Sequence, residues 1–203
     1  MTKTQIFIVR GGDVFKNKKD YLSYLKNQKV SVKKREGWKD AFLDRKLGKK
    51  YELIRLRMPC RENAKYEEWK IYFERFLPLI KNNAIFIGSS LGGMFLSKYL
   101  SENKFPKKIL GVFLIAPPYD GFPESRIIPG GFRLKSGLSL LEENTKNLYL
   151  FFSADDNVVP VVHAEKYRKN LKQAHITIYK SKKGHFLVAK FPEIVKLIKN
   201  LKQ

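Results

Sequence analysis

Cysteine is almost absent from this chain: Cys60 is the only one among 203 residues. A single cysteine cannot form an internal disulfide bond, and chains that fold without disulfides are typical of reducing compartments. We therefore expect a cytoplasmic protein that is stabilised by packing, and a chain of this length can bury a sizeable core.

Long hydrophobic runs are also lacking. The apolar run near the start covers only residues 6–9, which is too short for the core of a signal peptide. No run approaches the ~20 apolar residues that a membrane-spanning helix needs. These absences predict a soluble protein without a membrane span.

Acidic residues are few: 19 Asp and Glu stand against 41 Lys and Arg, which gives a formal net charge of +22 at pH 7. Such an excess suits a nucleic acid, an anionic membrane surface or an acidic partner. The lysines are spread through every segment, however, and their clusters are short, as at residues 16–19 and 180–183. We interpret the charge as a solvated lysine-rich surface and expect no specific nucleic-acid partner, with loose electrostatic association as the alternative.

Histidine is scarce as well, with His163, His175 and His185 in separate predicted elements. Three separated histidines and one cysteine do not make a metal ligand set. We therefore expect neither a metal nor a cofactor, and only three residues are available as a histidine base.

What the chain does contain is a regular alternation of strands and helices. Short apolar runs predict six strands, at residues 5–9, 51–56, 84–87, 108–116, 148–152 and 175–180. Apolar residues at helical spacing predict helices at residues 20–27, 38–47, 65–79, 91–100, 139–145 and 162–171, and a last helix from Pro192. The strands are apolar throughout, as expected when helices cover both faces of a sheet. We predict an α/β fold, a doubly wound, mostly parallel six-stranded sheet with helices on both faces.

No linker is long enough to divide the chain, so we expect one domain over residues 1–203. Residues 117–147 are irregular and rich in glycine and proline, and are expected to form a small cap or pocket segment. Pro78 lies inside the predicted helix 65–79 and should kink it or end it early, because proline cannot donate the helical hydrogen bond.

The third strand runs into a helix through Gly88-Ser89-Ser90-Leu91-Gly92. This G-x-S-x-G pattern at a strand-to-helix junction is typical of a nucleophile elbow, a sharp turn that exposes one serine hydroxyl. The glycines are needed because strand and helix approach so closely that a Cβ at position 88 or 92 would collide. An ordinary glycine-rich turn is the alternative, so the interpretation depends on the residues that follow the other strands.

Reactive side chains follow two later strands. Asp155 and Asp156 come after the fifth strand, and His185 follows the sixth. Because the carboxyl ends of parallel strands meet at one edge of the sheet, we expect these groups to lie close to Ser90. The order serine, acid, histidine along the chain is that of a hydrolytic triad.

The choice among the candidates rests on their positions. His185 lies in a loop beside a glycine, whereas His163 lies in or at the start of a helix and His175 begins a strand. Asp156 is the preferred acid and Asp155 the alternative. A purely structural explanation for the acid is a carboxylate that stabilises a helix N-terminus.

The three residue types form a chemically complete set. A serine hydroxyl is a weak nucleophile until a base removes its proton, and an imidazole can take that proton and return it to the leaving group. A carboxylate orients the ring and stabilises the imidazolium. Ser90, His185 and Asp156 are therefore predicted as nucleophile, base and acid.

Two further sets of residues complete the predicted site. The oxyanion needs peptide N–H donors, which the amides of Leu91 and of the Gly11–Gly12 turn can supply, Gly12 by preference. Tyr119, Phe122 and Phe132 are candidates for apolar contacts with a substrate. Packing of a loop explains these aromatic residues equally well.

The segments GSSLGG, DDNVVP and GHF together resemble the α/β-hydrolase superfamily. With its short chain and small cap, the sequence is similar to the small serine hydrolases related to retinoblastoma-binding protein and to their bacterial relatives. The resemblance covers residues 5–201 and implies an ester, thioester or amide substrate. Two positions differ from many relatives: Ser89 stands where they have histidine, and Arg10 stands where they have the histidine of a His-Gly pair. Arg10 would favour an anionic substrate.

The sequence therefore favours a serine hydrolase of the carboxylesterase type that cleaves a small ester through an acyl-enzyme. A binding protein on the same scaffold with an unused triad is the alternative, because fold does not determine function. A third hypothesis is a protein that associates electrostatically with nucleic acid or a membrane. The oligomeric state stays open.

Overall fold

The computed structural model describes residues 3–32, 37–121, 128–135, 137–145 and 147–202. Within these ranges, six strands pair into one sheet in the order β2-β1-β3-β4-β5-β6, and every pairing is parallel. The strands are β1 (Thr4–Val9), β2 (Tyr51–Leu56), β3 (Ala84–Ser89), β4 (Ile109–Ile115), β5 (Leu148–Ser153) and β6 (His175–Tyr179). The predicted six-stranded α/β fold is confirmed.

In the part of the chain that the structure describes, seven α-helices lie between or after the strands. They are α1 (Lys18–Asn27), α2 (Leu43–Leu47), α3 (Tyr66–Glu74), α4 (Leu91–Glu102), α5 (Ser139–Asn144), α6 (Val162–Asn170) and α7 (Pro192–Asn200). Shorter turns of 3₁₀-helix cover Gly48–Lys50, Arg61–Asn63 and Leu77–Leu79. None of the described helices is both long and apolar enough to cross a membrane.

Helices cover both faces of the sheet, as two adjacent residues of β5 show. Neighbouring side chains on a strand point to opposite faces. The ring of Phe151 contacts Phe191, which precedes α7, at 5.4 Å between centroids, and the ring of Phe152 contacts Tyr167 of α6 at 6.2 Å. Helices α7 and α6 therefore flank the sheet from opposite sides.

The two edge strands are less buried than the central strands. β1, β3 and β4 are buried along almost their whole length, whereas β2 and β6 are largely half-buried or exposed. An edge strand has a neighbour on one side only, so part of its surface stays in solvent. Glu52 and Arg55 of β2 occupy such positions.

The predicted helix 38–47 is interrupted. Trp38–Phe42 forms a wide helical turn with non-helical backbone at Asp40, and only Leu43–Leu47 is α-helical. The Arg55 guanidinium donates to the carbonyl oxygen of Lys39 at 3.0 and 3.1 Å. In a regular helix this oxygen would accept a hydrogen bond from a backbone N–H instead. The predicted effect of Pro78 is confirmed, since α3 ends at Glu74.

Candidate active site

The chain turns sharply where β3 meets α4, and Ser90 is the residue at the turn. Its backbone has φ 54° and ψ −128°, a conformation that residues with a side chain rarely adopt. The Ser90 N–H donates to Ile115 O at 2.8 Å, and the Ser90 carbonyl accepts from Gly93 N at 2.8 Å. These bonds hold the strained residue between β4 and the first turn of α4.

The glycines beside Ser90 permit this close approach. A Cβ on Gly88 would lie 2.7 Å from Gly92 O, and a Cβ on Gly92 would lie 2.6 Å from Arg10 O. A Cβ on Gly11 would lie 2.9 Å from Ser90 Cβ. All three separations are shorter than van der Waals contact, so the turn after β1 fits against Ser90 only with glycine at these positions.

His185 lies in the loop after β6, and its ring contacts Asp156. The Nδ1 atom of His185 is 2.7 Å from Asp156 Oδ2. The other oxygen, Oδ1, accepts from the N–H groups of Val158 and Val159 at 2.8 and 2.9 Å. The Asp156 side chain is fully buried, whereas one fifth of the His185 side chain is exposed. A carboxylate accepts hydrogen bonds, so Nδ1 donates and Nε2 is left to act as a base.

Asp155, the alternative acid, contacts the loop that carries His185 rather than the histidine ring. Its carboxylate accepts hydrogen bonds from the Ser153 and Ser181 hydroxyls at 2.5 Å and from Gly184 N at 3.1 Å. These bonds hold the pKa of Asp155 well below its usual value. Asp155 therefore ties the end of β5 to the loop just before His185.

Ser90 and His185 line the same cavity at the carboxyl edge of the sheet. The cavity has a volume of about 340 Å³, which is at the small end of the range for ligand sites, about 300–1,000 Å³. No hydrogen bond between Ser90 Oγ and His185 is recorded among the described residues, and such contacts often tighten only when substrate binds. The structure thus brings Ser90, His185 and Asp156 to one site.

The predicted oxyanion donors flank Ser90. Leu91 is the first residue of α4, where a backbone N–H has no partner inside the helix. Gly11 and Gly12 both line the cavity. The backbone hydrogen bonds of the described residues include none from the Gly12 N–H.

The predicted aromatic contacts have different outcomes. Tyr119 is not among the residues lining the cavity: its ring packs edge-on against Tyr167 at 5.1 Å. Phe132 is fully buried and packs against Trp69 at 5.3 Å. Phe122 lies outside the described residues. Tyr119 and Phe132 therefore fit the explanation by packing.

The cavity contains a cationic wall, of which only Arg10 was predicted. Arg10 forms an ion pair with Asp40, and Arg61 donates from Nε to Gly11 O at 3.0 Å. Lys39 Nζ lies 3.3 Å from Ser89 Oγ. Burial, and then the positive charge of Arg10, lower the pKa of Lys39 to about 8. Arg61 follows β2 and could have been found by inspecting every strand end, whereas nothing in the local pattern distinguishes Lys39 from other lysines.

The opposite wall of the cavity is apolar. It comes from the end of β4 and from the segments that follow β4, β5 and β6, on the other side of Ser90 in the strand order. It includes Ile115, Ala116, Val158, Phe186 and Leu187. A molecule at Ser90 therefore meets positive charge on one side and apolar surface on the other.

Comparison with known proteins identifies the family of this chain. A parallel α/β sheet that carries serine, histidine and acid at its carboxyl edge is the arrangement of the α/β hydrolases. The family model for serine hydrolases matches residues 33–200, so the chain belongs to the serine hydrolase family and is a hydrolytic enzyme. No curated protein matches the sequence. The narrower resemblance to the relatives of retinoblastoma-binding protein stays a prediction.

Solved structures share the fold at low sequence identity. The ydeN gene product of B. subtilis superposes with a TM-score of 0.77 at 17% identity, over 98% of both chains. A putative YdeN-like hydrolase from Pectobacterium atrosepticum gives 0.64 at 16% identity, over 98% of this chain and 90% of that one. An α/β hydrolase from a Medee basin deep-sea metagenome gives 0.56 at 18% identity, over 89% and 69% of the two chains. These likenesses concern the fold alone.

Proposed function

We propose that the enzyme is a carboxylesterase-type serine hydrolase that cleaves a small ester through an acyl-enzyme. The observation that carries this proposal is the position of His185, which lines the same cavity as Ser90 while its Nδ1 contacts the buried Asp156 at 2.7 Å. Nucleophile, base and orienting acid are thereby supplied by three separate loops.

The reaction proceeds in two halves. Ser90 Oγ attacks the ester carbonyl, its proton passes to His185 Nε2, and the C–O bond to the alcohol breaks as that proton moves to the departing oxygen. Water then gives a proton to Nε2 and adds its hydroxide to the acyl carbon. The bond to Oγ breaks, the carboxylic acid leaves, and Oγ recovers its proton.

The remaining groups orient the base and stabilise the charges that form in these steps. The Asp156 carboxylate holds the ring in the tautomer that leaves Nε2 free and stabilises the imidazolium. The N–H groups of Leu91 and Gly12 donate to the carbonyl oxygen as it becomes negative. The small cavity volume favours a small ester over a long-chain lipid.

Steady-state hydrolysis of nitrophenyl esters with graded acyl chains tests the proposal. We expect turnover that is highest for short chains and that falls by about three to six orders of magnitude in Ser90→Ala. Asp156→Asn should lower kcat by about 10⁴-fold, because the wrong tautomer is then favoured.

A matched serine variant provides the control. Ser101 lies in α4, the helix that follows Ser90, and its hydroxyl donates to the Lys98 carbonyl outside the cavity. Ser101→Ala should therefore keep wild-type turnover. Ester hydrolysis that survives Ser90→Ala would exclude the proposed mechanism.

A further inference from the structure

The charges around the cavity are distributed unevenly. Arg10, Lys39 and Arg61 line it on the side of β1 and β2, and the acids at that wall are Asp13, which is exposed, and Asp40, which pairs with Arg10. Among the described residues, neither Lys39 nor Arg61 has an ion-pair partner. Two positive charges beside the nucleophile thus have no carboxylate of their own in the part of the chain that the structure describes.

The position of Lys39 relates this charge to the reaction. Its ammonium group lies 3.3 Å from Ser89 Oγ, one residue before the nucleophile. Lys39, Ser89 and Ser90 all line the same cavity of about 340 Å³, so an anion at Lys39 and an ester carbonyl at Ser90 can belong to one small substrate. The groups that face Lys39 are Arg10, Arg61 and Asp40, and the two arginines act to expel its proton.

Burial and the positive charges of Arg10 and Arg61 lower the pKa of Lys39 to about 8, because both disfavour a further positive charge at this wall. A bound carboxylate would offset both effects by accepting charge-assisted hydrogen bonds. An apolar group would fit the other side, along Ile115 and Val158.

We propose that the substrate is an anionic ester, with a carboxylate a few bonds from the scissile carbonyl that binds Lys39 and Arg61. This inference rests on the esterase function proposed above. The substrate class is then a half-ester of a short dicarboxylic acid or an ester of comparable charge and length.

The test compares esters that differ in charge and by one methyl group. Mono-4-nitrophenyl succinate, glutarate and adipate are each paired with the corresponding methyl 4-nitrophenyl diester, and uncatalysed hydrolysis is subtracted. For the best spacer, the charged member should have a kcat/KM about tenfold to hundredfold higher at pH 6.5, the range expected for charge-assisted hydrogen bonds.

The pH dependence of this preference tests whether Lys39 is the group that binds the carboxylate. The ratio of the two kcat/KM values should fall as pH rises through about 8, where Lys39 loses its proton in the free enzyme. His185 serves as base for both esters, so its contribution cancels in the ratio. The arginines stay charged, so some preference should remain at pH 9.5.

Three variants separate the local effect from the net charge of the molecule. Lys39→Met should lower the ratio at pH 6.5 about tenfold, and Lys39→Arg should keep it high without the fall near pH 8. Lys49→Met removes an exposed charge outside the cavity and should leave the ratio unchanged. Equal ratios in Lys39→Met and Lys49→Met would overturn the proposal.

Binding to Ser90→Ala separates this inference from the proposed chemistry. Calorimetry should show tighter binding of monomethyl glutarate than of dimethyl glutarate, whether or not the wild-type enzyme hydrolyses esters. Equal affinity would overturn the anionic substrate even if ester hydrolysis is confirmed. Preferential binding without hydrolysis would retain the anion site and overturn the esterase function.

Discussion

At the scale of single residues, the backbone of Ser90 has a conformation that costs about 1–3 kcal/mol. Its φ of 54° is maintained by hydrogen bonds to Ile115 and Gly93 and by the absence of side chains at positions 88 and 92. The strained backbone exposes the Ser90 hydroxyl to the cavity at the tip of the turn, and this exposure lowers the stability of the folded chain.

Asp155 gives a prediction at the same scale. Asp155→Asn should weaken the loop before His185, because an amide cannot replace a carboxylate that accepts from Ser153, Ser181 and Gly184. We expect a lower urea midpoint at pH 7 and a reduced kcat.

The pH dependence of that loss follows from the lowered pKa of Asp155. A carboxyl group with a depressed folded-state pKa stabilises the protein above its ordinary pKa of 3.8 and loses this contribution as pH falls below that value. The gap between wild type and Asp155→Asn should be full at pH 7 and narrow below about pH 4. Glu52→Gln, at an exposed position on β2, is the control, and a gap that does not depend on pH would contradict this role.

Sequence patterns could identify the triad candidates but not the cationic wall. Ser90, Asp156 and His185 each follow a strand, so the parallel sheet alone predicts that they converge. Lys39 comes from the connection between β1 and β2, and its place beside Ser89 depends on the irregular turn at Asp40. That turn results from long-range contacts of Arg10 and Arg55, which periodicity does not reveal.

At the scale of secondary-structure elements, the junction of α4 with β1 and β3 is the tightest contact near the site. Gly92→Ala would place a Cβ 2.6 Å from the carbonyl oxygen of Arg10 and against that of Val9. Backbone atoms cannot move aside as a flexible side chain can. We expect a loss of about 2–4 kcal/mol in the free energy of unfolding, measured by urea denaturation.

A second glycine serves as the matched control. Gly37 has φ −96°, and a Cβ there would have its nearest neighbour, Asp40 Oδ2, at 3.9 Å. Gly37→Ala should change the free energy of unfolding by less than about 0.5 kcal/mol. Equal losses in the two variants would show that the close approach of α4 to β1 is not the cause.

The element boundaries were predictable where local chemistry decides them. Pro78 ends α3 early and Gly48 follows α2, as residue types alone suggest. The strand order β2-β1-β3-β4-β5-β6 and the exposure of the two edge strands depend on pairing across the whole sheet. A short segment of sequence therefore cannot predict the strand order or the exposure of the edge strands.

At the scale of the whole molecule, the parallel sheet determines which residues meet at the site. It brings residues 90, 156 and 185 to one edge although they are far apart in sequence. It also separates the cationic wall, which comes from the segments after β1 and β2, from the apolar wall, which comes from the end of β4 and the segments after β4, β5 and β6. The net charge of +22 adds a long-range attraction for anions that is screened by salt.

The central claim is that Ser90 is a nucleophile activated by His185. Intact-protein mass spectrometry after treatment with a fluorophosphonate, followed by peptide mapping, tests it most directly. We predict one label per chain, located on Ser90, with a labelling rate that falls at least about 10³-fold in His185→Ala. Labelling at another residue, or at an unchanged rate in His185→Ala, would contradict the account.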